Sequence, residues 1–307
     1  MFDGFELRQV DVGDVGLRVR LGGTGPPVLL LHGHPQTHAM WNRVAPILAD
    51  HHTVVAADLR GYGRSSSPAE TDDPAAFSKR AMAGDQLALM NSLGFERFAV
   101  VGHDRGGRVA YRLALDHPGH VTCLAVLDIV PTADMWRFAE GAGRAFGLVD
   151  WHWYFLAQPA PRPERIIGAD PTAYYYTGDT SRFDPEALQD YVAAVADADT
   201  VHAMCQDYRA GATVDDELDE ADRAAGRRIE CPVLALWSSR EELPRWFDVL
   251  AVWHGWADDV RGRGIDAGHF LAEEAPDEVA AELIAFLADP PGRAAGRPDP
   301  PGPPPVA

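Results

Sequence analysis

The sequence is short of several things, and each shortage excludes a class of protein. It has only three cysteines, Cys123, Cys205 and Cys231, widely spaced and without a CxxC pair. That argues against a disulfide framework or a zinc site and points to a reducing compartment, the cytoplasm. Basic residues number 27 against 46 acidic ones, a formal net charge of -19, and Lys79 is the single lysine. Nucleic acid, which needs a cationic face, and an anionic membrane surface are both disfavoured as partners. No stretch approaches 18 consecutive apolar residues, so no membrane-spanning helix is expected. Residues 1–5 lack a basic region followed by an apolar run, so no signal peptide is expected either. What remains is 307 residues, 46% hydrophobic and 24% charged, enough chain to bury a core without metals or cross-links.

Residues 14–20 alternate apolar Val15, Leu17 and Val19 with Gly16, Arg18 and Arg20, the period of a half-buried strand. With residues 5–11 they suggest an opening antiparallel pair. The segments 27–33, 53–58, 98–103, 122–128 and 232–237 are short apolar runs without alternation, as expected of strands buried on both faces of a parallel sheet. Helical patterns separate several of them. One, Ser78–Leu93, is stopped by Gly94; another covers Arg105–Leu115. After Pro276, Val279, Leu283, Phe286 and Leu287 recur at helical spacing. Alternating strands and helices predict a doubly wound α/β sheet. Residues 133–225, rich in Trp, Tyr, Phe and Asp, break the rhythm and read as an inserted helical cap. The division is therefore 1–132 and 226–288 for the core, 133–225 for the cap, and 289–307 for a tail. With eight prolines and three glycines, that tail is expected to be disordered.

The strongest chemical signal is Gly102-His103-Asp104-Arg105-Gly106. It follows an apolar strand and opens a helix, the G-x-nucleophile-x-G elbow. The nucleophile position holds Asp104 rather than serine. A carboxylate at a helix N-terminus stays ionised and needs no base to attack an electrophilic carbon and form an ester; the plainer reading is a helix cap. Leu31-His32-Gly33-His34-Pro35 ends an earlier strand where such hydrolases place one oxyanion-hole amide, so the backbone N–H groups of His34 and Arg105 are assigned to that role. His32 and His34 have no third ligand at sensible spacing for a metal, and no cofactor is implied. His269 stands where the chain order nucleophile–acid–His puts the base. Asp128, ending an apolar strand, is favoured as its orienting acid because such a carboxylate is costly without a partner; Glu241 and Glu242 are the alternatives. Arg105 and Arg108, cations in the first turn of a helix, oppose its dipole. A bound substrate carboxylate would offset that, as would a salt bridge to a protein acid.

These residues resemble a known family. His32-Gly33-His34-Pro35-Gln36-Thr37-His38, Asp58-Leu59-Arg60-Gly61-Tyr62-Gly63 and Gly102-His103-Asp104-Arg105-Gly106-Gly107-Arg108 look like fluoroacetate dehalogenases of the α/β-hydrolase superfamily. The cap segments Trp151-His152-Trp153-Tyr154-Phe155 and Asp207-Tyr208-Arg209 match too, and the likeness extends to about residue 288. The resemblance implies Asp104 as nucleophile, His269 as base and Asp128 as its partner. It implies Arg105 and Arg108 on the substrate carboxylate, and His152, Trp153 and Tyr208 as donors to the leaving halide. Without it, His152 and Trp153 read as cap packing and Tyr208 as a helix-surface residue. It also implies a homodimer, a small haloacid as substrate, and glycolate and halide as products. His34 departs from the family, which usually carries an aromatic or bulky apolar residue there. An epoxide hydrolase is the nearest rival, although that group typically has Trp after the nucleophilic Asp and two cap tyrosines. A non-catalytic receptor is disfavoured by the intact Asp104, Asp128 and His269, and a serine esterase by the lack of Ser at the elbow.

Overall fold

The computed structural model describes residues 1–69 and 72–288; the expected tail, 289–307, lies outside them. Eight strands form one sheet: β1 (Glu6–Asp11), β2 (Gly16–Gly22), β3 (Pro27–Leu31), β4 (Thr53–Ala57), β5 (Phe98–His103), β6 (Val121–Leu127), β7 (Val233–Ser238) and β8 (Val260–Ile265). Their spatial order is β1-β2-β4-β3-β5-β6-β7-β8. The pairs β1–β2 and β2–β4 are antiparallel and the others parallel, a mostly parallel sheet with an antiparallel margin.

The unbroken apolar runs are explained by burial of both faces. In β3, Leu29 and Leu31 pack into one layer while Val28 and Leu30 pack into the other. The same split divides Val100 from Val101 in β5 and Val126 from Leu127 in β6. Each such side chain contributes roughly 1.5–3 kcal/mol by leaving water. β8, VRGRGI, was not delimited by the apolar-run criterion. It lies at the sheet margin with Arg263 exposed and Arg261 half-buried over the Phe286 ring, and Gly262 passes so close to Ala235 that a Cβ there would come within 1.9 Å of its carbonyl oxygen. The helix Lys79–Ser92 starts on Ser78, whose hydroxyl accepts from the Ala81 amide at 3.2 Å. It ends as expected at Gly94, whose φ of +86° lets the Phe95 amide reach back to the Met90 carbonyl at 2.9 Å.

Between β6 and β7 the chain leaves the sheet for a run of helices from Thr132–Ala142 to Val214–Ala224. This cap docks on the core through shared apolar packing, with Met135, Trp153, Met204 and Tyr208 in one cluster with core residues, and through buried charge. Arg112, on the helix Asp104–Asp116, reaches Asp219 at 2.6 Å and Asp222 at 2.5 Å, and the Tyr111 hydroxyl donates to Asp219 at 2.7 Å. All three cysteines are free and buried, and among the described residues no helix is long and apolar enough to cross a membrane.

Candidate active site

β5 runs directly into the helix Asp104–Asp116 with no loop between them. So abrupt a turn forces Asp104 to a φ of +48°, a conformation most side chains avoid. The flanking glycines make it feasible. A Cβ on Gly102 would sit 2.3 Å from the Gly106 carbonyl oxygen, and one on Gly106 would sit 2.4 Å from that of His32. Asp128, just past β6, also has a positive φ, +54°. Apart from Phe2, these two aspartates are the non-glycine residues in that region among the described residues. Strain of this kind persists where surrounding contacts hold it in place.

The contacts are specific. Asp104 Oδ1 accepts from the His34 amide at 2.8 Å. Asp128 Oδ1 accepts from the Ser238 amide at 2.8 Å, while Oδ2 meets His269 Nδ1 at 2.6 Å. Glu241 and Glu242, the alternative acids, make no such contact; Glu242 pairs with Arg245. The structure thus brings Asp104, Asp128 and His269 to one end of the sheet, on the strand-to-helix sides of β5, β6 and β8. The Arg105 amide makes no hydrogen bond to Asp104 among those described. His32 is not poised for a metal: its Nε2 accepts from the Leu59 amide at 3.0 Å, so its Nδ1 donates to the Gly33 carbonyl at 2.8 Å.

Burial alone would push the Asp104 carboxyl up, but the charges of His269, His103 and Arg105 and the His34 amide outweigh it and hold it well below the usual carboxylate range. For His269, burial lowers and the Asp128 hydrogen bond and the charges of Asp128, Asp104 and Asp150 raise, with a net rise to about 9. Burial pushes His152 down to about 4 and His34 down to about 3, so both rings are neutral near pH 7.

A cavity of about 380 Å³ opens over Asp104, lined by Arg108, Asp128, His152, Trp153, Tyr208 and His269 among others. The two arginines part company here. Arg105 does not line the cavity. It is fully buried, its Nε and Nη2 held by the Asp207 carboxylate at 2.9 and 2.8 Å, and only Nη1 lacks a partner. The salt bridge to Asp207 thus accounts for most of the Arg105 fork and leaves Nη1 as its unpartnered nitrogen. Arg108 forms no ion pair among the described residues. Its Nη1 donates to the Val130 carbonyl at 3.0 Å and the Thr132 hydroxyl at 3.2 Å, its Nε is unpartnered, and its guanidinium lies 4.7 Å from the Trp153 ring centre.

His152, Trp153 and Tyr208 face one another, with the Tyr208 ring 5.7 Å from His152 and 6.1 Å from Trp153. None of the three side chains makes a hydrogen bond within the described residues. Tyr208 is 2% exposed, not on a helix surface. Sequence reasoning missed two partners. Asp207 joins Arg105 to Lys79 and accepts from the Tyr62 hydroxyl at 2.7 Å; the solitary lysine was the one hint. Asp150, next to the Trp151-His152-Trp153 segment, is a carboxylate on the cavity wall 4.0 Å from His152. Burial and the charges of Asp104 and Asp128 hold it up at about 6, against His269 and Arg108.

Comparison with known proteins places this geometry. A family model for the α/β-hydrolase fold matches residues 26–276. The chain is 50% identical over 297 residues to a fluoroacetate dehalogenase of Burkholderia sp., covering 94% of this chain and 96% of that one. It is 31% identical over 275 residues to a soluble epoxide hydrolase of Corynebacterium sp. (strain C12), covering 87% and 91%. A solved α/β hydrolase of Nostoc sp. PCC 7120 superposes with a TM-score of 0.90 at 48% identity, covering 94% and 99%.

Proposed function

The chain belongs to the α/β-hydrolase family and, within it, groups with the fluoroacetate dehalogenases; on that premise we propose that it hydrolyses the carbon–halogen bond of short 2-haloacids, fluoroacetate or chloroacetate, to the 2-hydroxyacid and halide. The observation that carries this reading is Arg108, a buried cation on the cavity wall with no ion-pair partner among the described residues. A buried charge without a partner is strongly disfavoured. A substrate carboxylate beside Asp104 supplies the missing anion, with Arg105 Nη1 as a further donor.

The steps follow from the contacts. Asp104 Oδ1 is held by the His34 amide, so Oδ2 is the oxygen that attacks C2, and the halide leaves with its bonding pair. His152, Trp153 and Tyr208 supply the donors that replace water around the departing ion, which for fluoride is a demanding task. The product of this step is an ester whose carbonyl oxygen is Oδ1. Esterification removes the Asp104 charge, one of the charges that raise His269, so the imidazole releases its proton more readily. Held by Asp128, it then activates water against the ester carbonyl. As water adds, negative charge collects on Oδ1, where the His34 amide already sits. Atoms balance: one water enters, and the hydroxyacid, halide and a proton leave.

The test is halide release from fluoroacetate and chloroacetate by the wild type and by Asp104→Asn. We expect release of both halides, and loss in the variant on the order of 10⁶-fold, as for removal of a catalytic nucleophile. A wild-type rate in the variant would remove Asp104 from its role. One observation favours a second reading, an epoxide hydrolase: Tyr175 and Tyr208, two cap tyrosines, flank His34 at ring distances of 5.2 and 5.0 Å. Turnover of styrene oxide without any from haloacids would select that reading, under which Arg108 has no evident ligand.

A further inference from the structure

The cavity is larger than a haloacetate requires. A haloacetate has five non-hydrogen atoms, whereas about 380 Å³ lies in the range that takes ligands several times that size. The surplus volume has a definite chemistry. One wall is built of His34, Tyr175 and Tyr174. The His34 ring sits edge-on to Tyr175 at 5.2 Å, and Tyr175 to Tyr174 at 4.6 Å. His34 Nδ1 and both tyrosine hydroxyls are buried and have no hydrogen-bond partner. Three such atoms together are unusual, because a buried polar group left unpaired costs about 1–3 kcal/mol. The His34 amide is fixed on Asp104 Oδ1, and His34 lines the same cavity as Asp104.

The groups on this wall are neutral and can both donate and accept, a match for a hydroxyl. A second anionic group is opposed by the carboxylates of Asp150, Glu241 and Glu242 elsewhere on the cavity lining; Glu242 pairs with Arg245, and Asp150 lies 4.0 Å from the His152 ring nitrogen.

Resting on the dehalogenase reading, we propose that the site takes 2-haloacids extended by a hydroxyl on carbon 3, received by the wall of His34, Tyr175 and Tyr174. Asp104 Oδ2 bonds to C2 as the halide leaves, and hydrolysis of the ester by one water gives the 2,3-dihydroxyacid and a proton and restores the Asp104 carboxylate. Nothing beyond water is consumed.

Three probes decide it: 2-chloro-3-hydroxypropanoate, its isostere 2-chlorobutanoate, which has methyl in place of hydroxyl, and 2-chlorosuccinate. Chloride release is measured for each, corrected for enzyme-free release, with chloroacetate alongside. We expect kcat/KM for the hydroxylated acid to exceed that for its isostere by about tenfold, the scale of one well-made hydrogen bond, and 2-chlorosuccinate to be the poorest of the three. Tyr175→Phe removes a hydroxyl from the wall without altering the backbone and is expected to cut the tenfold preference to below about threefold. Tyr174→Phe serves as a second variant and is expected to cut it in the same direction. A ratio near one in the wild type, or a ratio unchanged in both variants, overturns this inference while chloroacetate turnover leaves the dehalogenase reading standing. Absence of chloride from every probe, chloroacetate included, overturns both.

Discussion

Between β3 and β5 the chain is joined by Val28, Leu29, Leu30, Val100 and Val101, each 0% exposed. Between the cap helix Ala198–Gly211 and the core helices Asp104–Asp116 and Lys79–Ser92 stand Arg105, Asp207 and Lys79, buried and joined by ion pairs. The two regions obey different rules. Apolar contacts are non-directional, so the sheet tolerates exchange of one aliphatic residue for another of similar volume. Charged contacts in a dry interior are directional and punish any missing partner. The sheet thereby sets where Asp104, Asp128 and His269 stand. The charged seam sets how the cap, with His152, Trp153 and Tyr208, is laid over them.

Removing Asp207 breaks that comparison most severely. Asp207→Ala leaves Arg105 as an uncompensated buried cation and Lys79 with Asp215 alone, 3.6 Å away, a loss of about 3–5 kcal/mol of stability, whereas a conservative core exchange such as Leu29→Met is expected to cost under about 1.5 kcal/mol. Thermal unfolding of both variants checks the contrast; equal losses would mean that the seam is not special. The pH dependence has a defined sign. Arg105 and Lys79 depress the Asp207 carboxyl against the opposing effect of burial. The pair therefore contributes above the ordinary carboxylate range near 4, and its contribution is lost as pH falls towards the depressed folded value.

Asp150 sharpens the comparison with a smaller effect, since it belongs to the cap but faces His269, Asp104, Arg108, Asp128 and His152. Its carboxyl is held up at about 6, so it ionises as pH rises past that value and adds a negative charge beside the bound acid. KM for chloroacetate is expected to rise several-fold between pH 5 and 8, with a smaller change in kcat. Asp150→Asn should flatten that profile; a profile unaltered by the substitution would place Asp150 outside the site's charge balance.

The same division decides what was legible in the sequence. β5 and the elbow could be read to the residue because local rules write them: an apolar run, a glycine either side of Asp104, and an immediate helix. Asp128 and His269 were legible because a carboxylate and an imidazole at strand ends need partners, and chain order pairs them. Asp207 was not, since its partners, Lys79 and Arg105, lie 128 and 102 residues away and no periodicity links them. For the same reason Arg105 and Arg108 looked alike in sequence, and only the fold assigns a carboxylate to one and not to the other. β8 escaped because a margin strand with alternating Arg and Gly lacks the double-faced burial that marks the central strands.

The covalent route through Asp104 is tested most directly by a single turnover of chloroacetate in ¹⁸O-labelled water, with enzyme in excess. The account predicts unlabelled glycolate, its new oxygen taken from Asp104, and one heavy oxygen in the peptide that contains Asp104. Label found first in glycolate, with none in that peptide, would contradict it.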